Sequence, residues 1–228
     1  MAVRIDAFDP GQHDTKDFRC GSDSQDNVLR RTAKRQQRDG YTRLTVATDA
    51  AQTGEPQVCL GFYAINAHAI GVADVPSDAA PRPPRSNLIP GVFLSHLAVD
   101  ERHQDKGLGR ILLVDAMQQC QRAEQILGVR LIVLDVAGAA GDAERARLQR
   151  FYASMGFRPL PGRPERLFFS LNALPPLRPG GSGIRMDTID GVSQGLDHWE
   201  NRRQWSTSAS SDQVKSAGKW PKLVVAQS

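Results

Sequence analysis

Cysteine is scarce. The 228 residues contain three, Cys20, Cys59 and Cys120, and no two form a CxxC pair. An odd, scattered set of this kind suits a reducing compartment better than a disulfide frame. No apolar run approaches the roughly 20 residues that a membrane helix requires, so no membrane role is expected. The opening MAVRIDAFDPGQHD lacks an apolar h-region and a cleavage-like end, which points to the cytoplasm rather than to secretion. A bulk excess of one charge is missing too: 29 Lys and Arg against 25 Asp and Glu leave a net +4. Any basic partner surface must therefore come from clustering. From Pro175 onward, helical or strand periodicity is missing beyond the segment DTIDGVSQGLDHWENRRQW. Residues 175–228 read as a linker and disordered tail, with Trp199, Trp205 and Trp220 as possible partner anchors.

Residues 1–174 carry the patterns of packed structure. Ser24 to Asp39 is helical and closed by Gly40. YTRLTVATD (41–49) alternates as a strand does, and QVCLGFYAINAHAI (57–70) reads as one or two more. After the proline-rich DAAPRPPRSNLIPG come a strand at Val92–Val99 and a helix at Leu108–Leu127 ending before Gly128. VRLIVLDV (129–136) is a continuous apolar run, suited to a strand covered on both faces. Ala143 to Met155 is helical, stopped by Gly156, and FRPL and RLFFSL give two final strands. This order predicts an α/β fold: a mixed sheet with helices on its faces.

QDKGLGR (104–110) stands between the strand at 92–99 and the helix at 108–127. The first helical turn there presents N–H groups without intrahelical partners, at the positive end of the helix dipole. Gly107 and Gly109 allow close approach to those groups, and Lys106 and Arg110 add charge, which describes a phosphate site. It is neither a Walker loop, since Lys106 precedes the glycine, nor a dinucleotide fingerprint, since Ile111 and Leu112 follow Arg110. A plain strand-to-helix turn is the alternative on these residues alone.

Gln104-x-x-Gly107-x-Gly109 after a strand ending LAVD resembles the acyl-CoA pyrophosphate loop of the GCN5-related N-acetyltransferases (GNAT family). RFYASMGFRPL (150–160) looks like the segment those enzymes carry about 40 residues further on. FRCGSDSQDNVLRRTA, GFYAINAHAI, LSHLAVDERHQDKGLGRILLVDAM and FYASMGFRPLPGRPERLFFSL together are similar to the acetyltransferase toxins of type II toxin–antitoxin operons. The likeness spans about residues 15–171. It implies a GNAT-like sheet, acetyl-CoA as co-substrate without a metal, and an aminoacyl-tRNA as acceptor. An antitoxin of ribbon-helix-helix type and a homodimer are implied as partners. Two positions depart from the pattern: Asp105 stands where glycine is usual, and His96 where arginine is.

By that resemblance Leu97, Ala98 and Val99 align the pantetheine arm, and Gln104, Asp105, Lys106, Gly107, Leu108, Gly109 and Arg110 hold the pyrophosphate. Tyr152 takes the place of the general acid that protonates the departing thiolate. Helical spacing agrees, with Leu148, Phe151 and Met155 on a buried stripe and Tyr152 on its margin. A core tyrosine with a satisfied hydroxyl is the plainer alternative. A backbone N–H near Val99 suits an oxyanion donor. Asp100, Glu101, His96 and Asp135 are possible general bases, but none stands out. An α-amine with pKa near 8 is already partly neutral at pH 7.

Arg30, Arg31, Lys34, Arg35 and Arg38 project within about 140° of one another on an ideal helix, without an interposed acid or an i,i+4 ion pair. Leu29, Thr32, Ala33 and Gln36 face the body. Such a stripe, extended by Arg43, Arg82 and Arg85, suits a phosphate backbone. Two rival readings share these features in part: an acetyltransferase for a small amine or protein N-terminus, and a binding protein inactivated by Asp105.

Overall fold

The computed structural model describes residues 2–136 and 141–175. The expected linker and tail from 176 on, with the three tryptophans, lie outside the described residues. The main sheet is assembled from seven strands: β1 (Val3–Ala7), β3 (Arg43–Asp49), β5 (Gly61–Gly71), β6 (Leu88–Val99), β7 (Leu131–Asp135), β8 (Arg158–Leu160) and β9 (Arg163–Ser170). Their spatial order is β1-β3-β5-β6-β7-β9-β8. The short β2 (His13–Asp14) and β4 (Gln57–Val58) pair in parallel as a second, two-stranded sheet. All neighbours in the main sheet are antiparallel except β6 and β7. A parallel pair needs a crossover, and α3 (Leu108–Leu127) supplies it. Sequence reading places α3 at these bounds. It misses β1, which lies at the sheet edge, is only partly buried and has weak alternation.

α3 packs on one face of the sheet through Leu108, Ile111, Leu112, Leu113, Ala116, Met117 and Cys120. Fully burying each large side chain of this set contributes about 1.5–3 kcal/mol. α4 (Asp142–Ser154) adds Leu148, Phe151 and Tyr152 to the same core. β7 is buried at all five positions, as its unbroken apolar run requires. Its even residues Ile132 and Leu134 join the α3 core, while Leu131 and Val133 face a smaller cluster on the other side.

A bulge in β6 reverses the side-chain alternation. Ala64 of β5 pairs with His96 and Ile65 with Leu94, so Ser95 has no partner residue. Leu94 and Leu97 consequently reach the same core, three positions apart. Beyond the bulge His96 points to the opposite face, under the N-terminal helices.

Those helices comprise α1 (Asp23–Asn27), a π-helical turn (Val28–Thr32) and α2 (Ala33–Arg38). The expected single α-helix is thus interrupted, and each π turn advances the phase of the residues after it. Leu29 and Ala33 are buried against the sheet, as expected, and Thr32 and Gln36 are half-buried. His96 is 2% exposed, and its Nδ1 lies 2.8 Å from Gln25 Oε1 of α1. With the proton on Nδ1 this is a donor bond that ties β6 to the helix. Burial pushes the His96 pKa down to about 4, so the ring is neutral at pH 7 and supplies none of the charge an arginine would.

Between pH 6.5 and about 4 the unfolded chain protonates this histidine and the folded chain does not, so stability falls with falling pH across that window. The full effect is on the order of 3 kcal/mol. Urea unfolding at stepped pH should show that slope, and His96→Gln should flatten it; equal slopes in the two proteins would refute the assignment.

Candidate active site

β6 and β7 stay together for only three residue pairs, Gly91–Leu131, Val92–Ile132 and Phe93–Val133. From Leu94 to Val99 the β7-facing edge of β6 has no ladder partner, although its other edge remains paired with β5. The N–H of Asp100 donates to the Leu60 carbonyl, on the β5 side. Strand alternation then turns the N–H of Val99 to the unpaired edge. Leu97 and Val99 bury their side chains in the α3 core and Ala98 its methyl on the opposite face, so the three offer backbone groups to an extended ligand.

The loop after β6 is held by polar bonds. Asp100 is 1% exposed and accepts from Arg102 Nε (2.7 Å), Arg102 Nη2 (3.0 Å) and the N–H groups of Arg19 and Arg102. Burial acts to raise its pKa, but these donors hold the carboxyl below its usual range. Gln104 Nε2 donates to the carbonyls of Val99 (2.9 Å) and Cys20 (3.1 Å), bracing the loop rather than facing a ligand. Lys106 Nζ donates to the Arg102 carbonyl at 2.7 Å. Gly107 caps α3 at φ +80, a left-handed conformation suited to glycine, and no side chain caps that first turn. A Cβ on Gly107 would meet nothing within 4 Å, so the corner is open. Leu108 and Gly109 are buried, leaving their backbone as the usable part, and Arg110 is half-buried beside them.

Asp105 sits at φ +61, in the left-handed region. That geometry explains why glycine is usual there and why aspartate, which tolerates this region better than most residues, can replace it. Its side chain is half-exposed and lies 4.0 Å from Arg147 of α4, which offsets its charge.

Tyr152 lies deeper than its expected marginal position. It is 0% exposed and packed edge-on against Phe151 and Phe157, with ring centroids 5.1 and 5.6 Å away. Its hydroxyl is buried with no hydrogen-bond partner among the described residues, and burial alone raises its pKa. A satisfied core tyrosine is therefore not what is found. An orphaned hydroxyl costs about 1–3 kcal/mol, and such a group needs a reason. A thiolate brought along the split would supply the missing partner. With the open glycine corner and the unpaired strand edge, this chain's residues fit an acyl-thioester ligand ending in a diphosphate. Among the considered bases, Asp100 is spent on Arg102, and Asp135 is held by Arg166 through two bonds of 2.6 Å.

The basic stripe needs a correction. Asp26 and Arg30 do form an i,i+4 pair (3.5 Å), in which Arg30 neutralises a carboxylate that is only 5% exposed. Arg38 pairs with Asp39 at 3.0 Å. Arg31, Lys34 and Arg35 are exposed, and none joins an ion pair among the described residues. Arg85 is exposed in the loop before β6. Sequence reading did not single out Arg147 or Arg166, whose roles depend on strands and helices meeting.

Residues 61–159 match the family described as Acetyltransferase (GNAT) domain. The chain is 32% identical over 167 residues to a probable toxin TacT of Sinorhizobium fredii, covering 73% of this chain and 90% of that protein. It is also 32% identical over 154 residues to a tRNA-acetylating toxin of Mycobacterium tuberculosis, covering 68% and 84%. A solved structure of AtaT complexed with acetyl-methionyl-tRNAfMet superposes with a TM-score of 0.65 at 25% identity, over 75% of this chain and 96% of that one. A KacT mutant at 21% identity, with the same TM-score, shares the fold. The order of strands, the split after Phe93 and these likenesses agree: the chain belongs to the GNAT acetyltransferases, among relatives that include acetyltransferase toxins.

Proposed function

We propose that this protein is an acetyl-CoA-dependent N-acetyltransferase toxin that acetylates the α-amine of aminoacyl-tRNA and so blocks translation. The observation that carries the reading is the buried, partnerless Tyr152 hydroxyl in the same core as the split strand edge. Curated relatives named as toxins, one of them tRNA-acetylating, support the acceptor, as does AtaT complexed with acetyl-methionyl-tRNAfMet. A structure of AtaTR bound with acetyl-CoA supports the donor.

Acetyl-CoA supplies the activated acyl group as a thioester. The backbone of Asp105 to Arg110 would bind its diphosphate at the start of α3, and Leu97 to Val99 would hold its arm along the unpaired edge. The Val99 N–H would donate to the carbonyl oxygen, where charge develops when the acceptor amine attacks. As the carbon–sulfur bond breaks, the Tyr152 hydroxyl gives its proton to the leaving sulfur. Asp100 and Asp135 are both committed to arginines. An α-amine with pKa near 8 is already partly neutral at pH 7, so the proton it sheds on attack would pass to solvent without a dedicated base. Arg31, Lys34 and Arg35 would receive the tRNA backbone, with Arg85 as an extension. Arg30 and Arg38 contribute less, being paired. A homodimer and an antitoxin of ribbon-helix-helix type belong to the same reading; a toxin mutant bound to the C-terminus of its antitoxin is known among the structural neighbours.

Tyr152→Phe should lower kcat for transfer of labelled acetyl to charged tRNA by about 10²- to 10⁴-fold. It should also leave thermal stability of the free protein equal or higher, because it removes an unsatisfied hydroxyl. Full activity in that variant would end the general-acid role.

Arg31→Glu with Arg35→Glu should raise KM for charged tRNA and lower the salt slope of binding by about one for each phosphate no longer neutralised. Affinity for acetyl-CoA should stay unchanged. Salt-insensitive transfer, unaltered by the double substitution, would favour the small-amine rival.

Asp105→Gly removes both the left-handed strain and a negative charge from the loop. Calorimetry should show acetyl-CoA bound several-fold more tightly than by the parent. Weaker binding would mean the aspartate assists the loop.

A further inference from the structure

The split between β6 and β7 also opens on the face away from α3. There a cavity of about 250 Å³ is bounded by Gln36 of α2, by Tyr41 and Thr42, by Asn66 and His68 of β5, and by Phe93, Ser95 and His96 of β6. Phe93 is the last residue of β6 paired to β7 and Ser95 is the bulge, so the cavity sits where the strands part. Tyr152 lies in the core on the other face, so a thioester along the split would stand between the phenol and this cavity.

Among the described residues, the cavity walls carry no ionised side chain. Asp, Glu, Lys and Arg are all missing from the lining. His96 is buried and neutral, and burial lowers the pKa of His68. An ion pair beside the Phe93 ring is self-contained: the Arg166 guanidinium lies 5.8 Å from the ring centroid and donates to both carboxylate oxygens of Asp135.

Four of the polar side chains in the lining, those of Thr42, Asn66, Ser95 and His96, are committed to the protein itself. Asn66 Nδ2 donates to the Tyr41 carbonyl at 2.6 Å, and its Oδ1 accepts from Ser95 Oγ at 2.7 Å. Thr42 Oγ1 donates to the Ile65 carbonyl at 3.2 Å. His96 Nδ1 is engaged with Gln25. None of the lining groups carries a charge that could pair an ion, whereas the Phe93 ring and the neutral amides suit apolar or uncharged polar groups. Burying an ion without a partner is far costlier than burying an amide or a thioether.

We propose that this cavity seats the amino-acid side chain of the acceptor and selects for uncharged ones. Aspartyl, glutamyl, lysyl and arginyl esters are rejected. The inference rests on the aminoacyl-tRNA acetyltransferase reading given above, and adds to it the class of amino acid.

The test uses the full chain, labelled acetyl-CoA and one tRNA body charged in turn with matched pairs: asparagine and aspartate, glutamine and glutamate, methionine and lysine. Each neutral member should be acetylated with kcat/KM at least about 100-fold above its charged counterpart. A charged ester acetylated within tenfold of its neutral partner overturns the proposal. No label on any ester would overturn the catalytic reading itself, so the two failures are distinguishable. Gln36→Glu places a carboxylate in the lining without a change of shape and should raise the lysyl-to-methionyl ratio at least tenfold. An unchanged ratio would show that the acceptor side chain sits elsewhere.

Discussion

The parting of β6 from β7 after Phe93 is the constraint on which the site depends. Three parallel pairs hold the two strands, and then the hydrogen-bonding edge of one is left without a ladder partner for six residues among the described residues. Exposed edges normally invite unwanted pairing. Here the edge lies within the body of the sheet, flanked by β5 on one side and by the α3 core above it. The Ser95 bulge completes the arrangement: it brings both Leu94 and Leu97 into the core and turns His96 toward α1. One irregularity thereby serves packing on one face and shapes a cavity on the other.

The corner where α3 begins depends on a different set of forces. Its glycine opens the helix start, but the loop before it is fixed by Asp100 and Gln104 reaching back to Arg19 and Cys20. The N-terminal segment is therefore part of the ligand loop's scaffold, although it is about 80 residues away in sequence. Buried polar networks of this kind hold a loop in one geometry when every member is satisfied.

Much of this was legible from sequence because it is local. The bounds of α3 follow from apolar spacing closed by Gly128, and the covering of β7 follows from VRLIVLD being apolar throughout. Gly107 and Tyr152 were found through motif resemblance, with helical spacing in agreement for the tyrosine. What was not legible is what two distant segments do together. The depth of Tyr152 depends on Phe157 and the α3 core closing over it. The pairing of Arg30 with Asp26 was within reach, since four residues separate them, but a count of the cations alone overlooked the acid one turn earlier. The π turn at Val28–Thr32 leaves no periodic trace in five residues, and the bulge at Ser95 is visible only once β5 is laid beside β6.

The unpaired stretch of β6 has a consequence for the lifetime of the molecule. A ligand that lent hydrogen bonds to Leu94–Val99 would act as a borrowed strand, and by mass action it would favour the folded chain over the opened one that proteases cut, in proportion to its concentration.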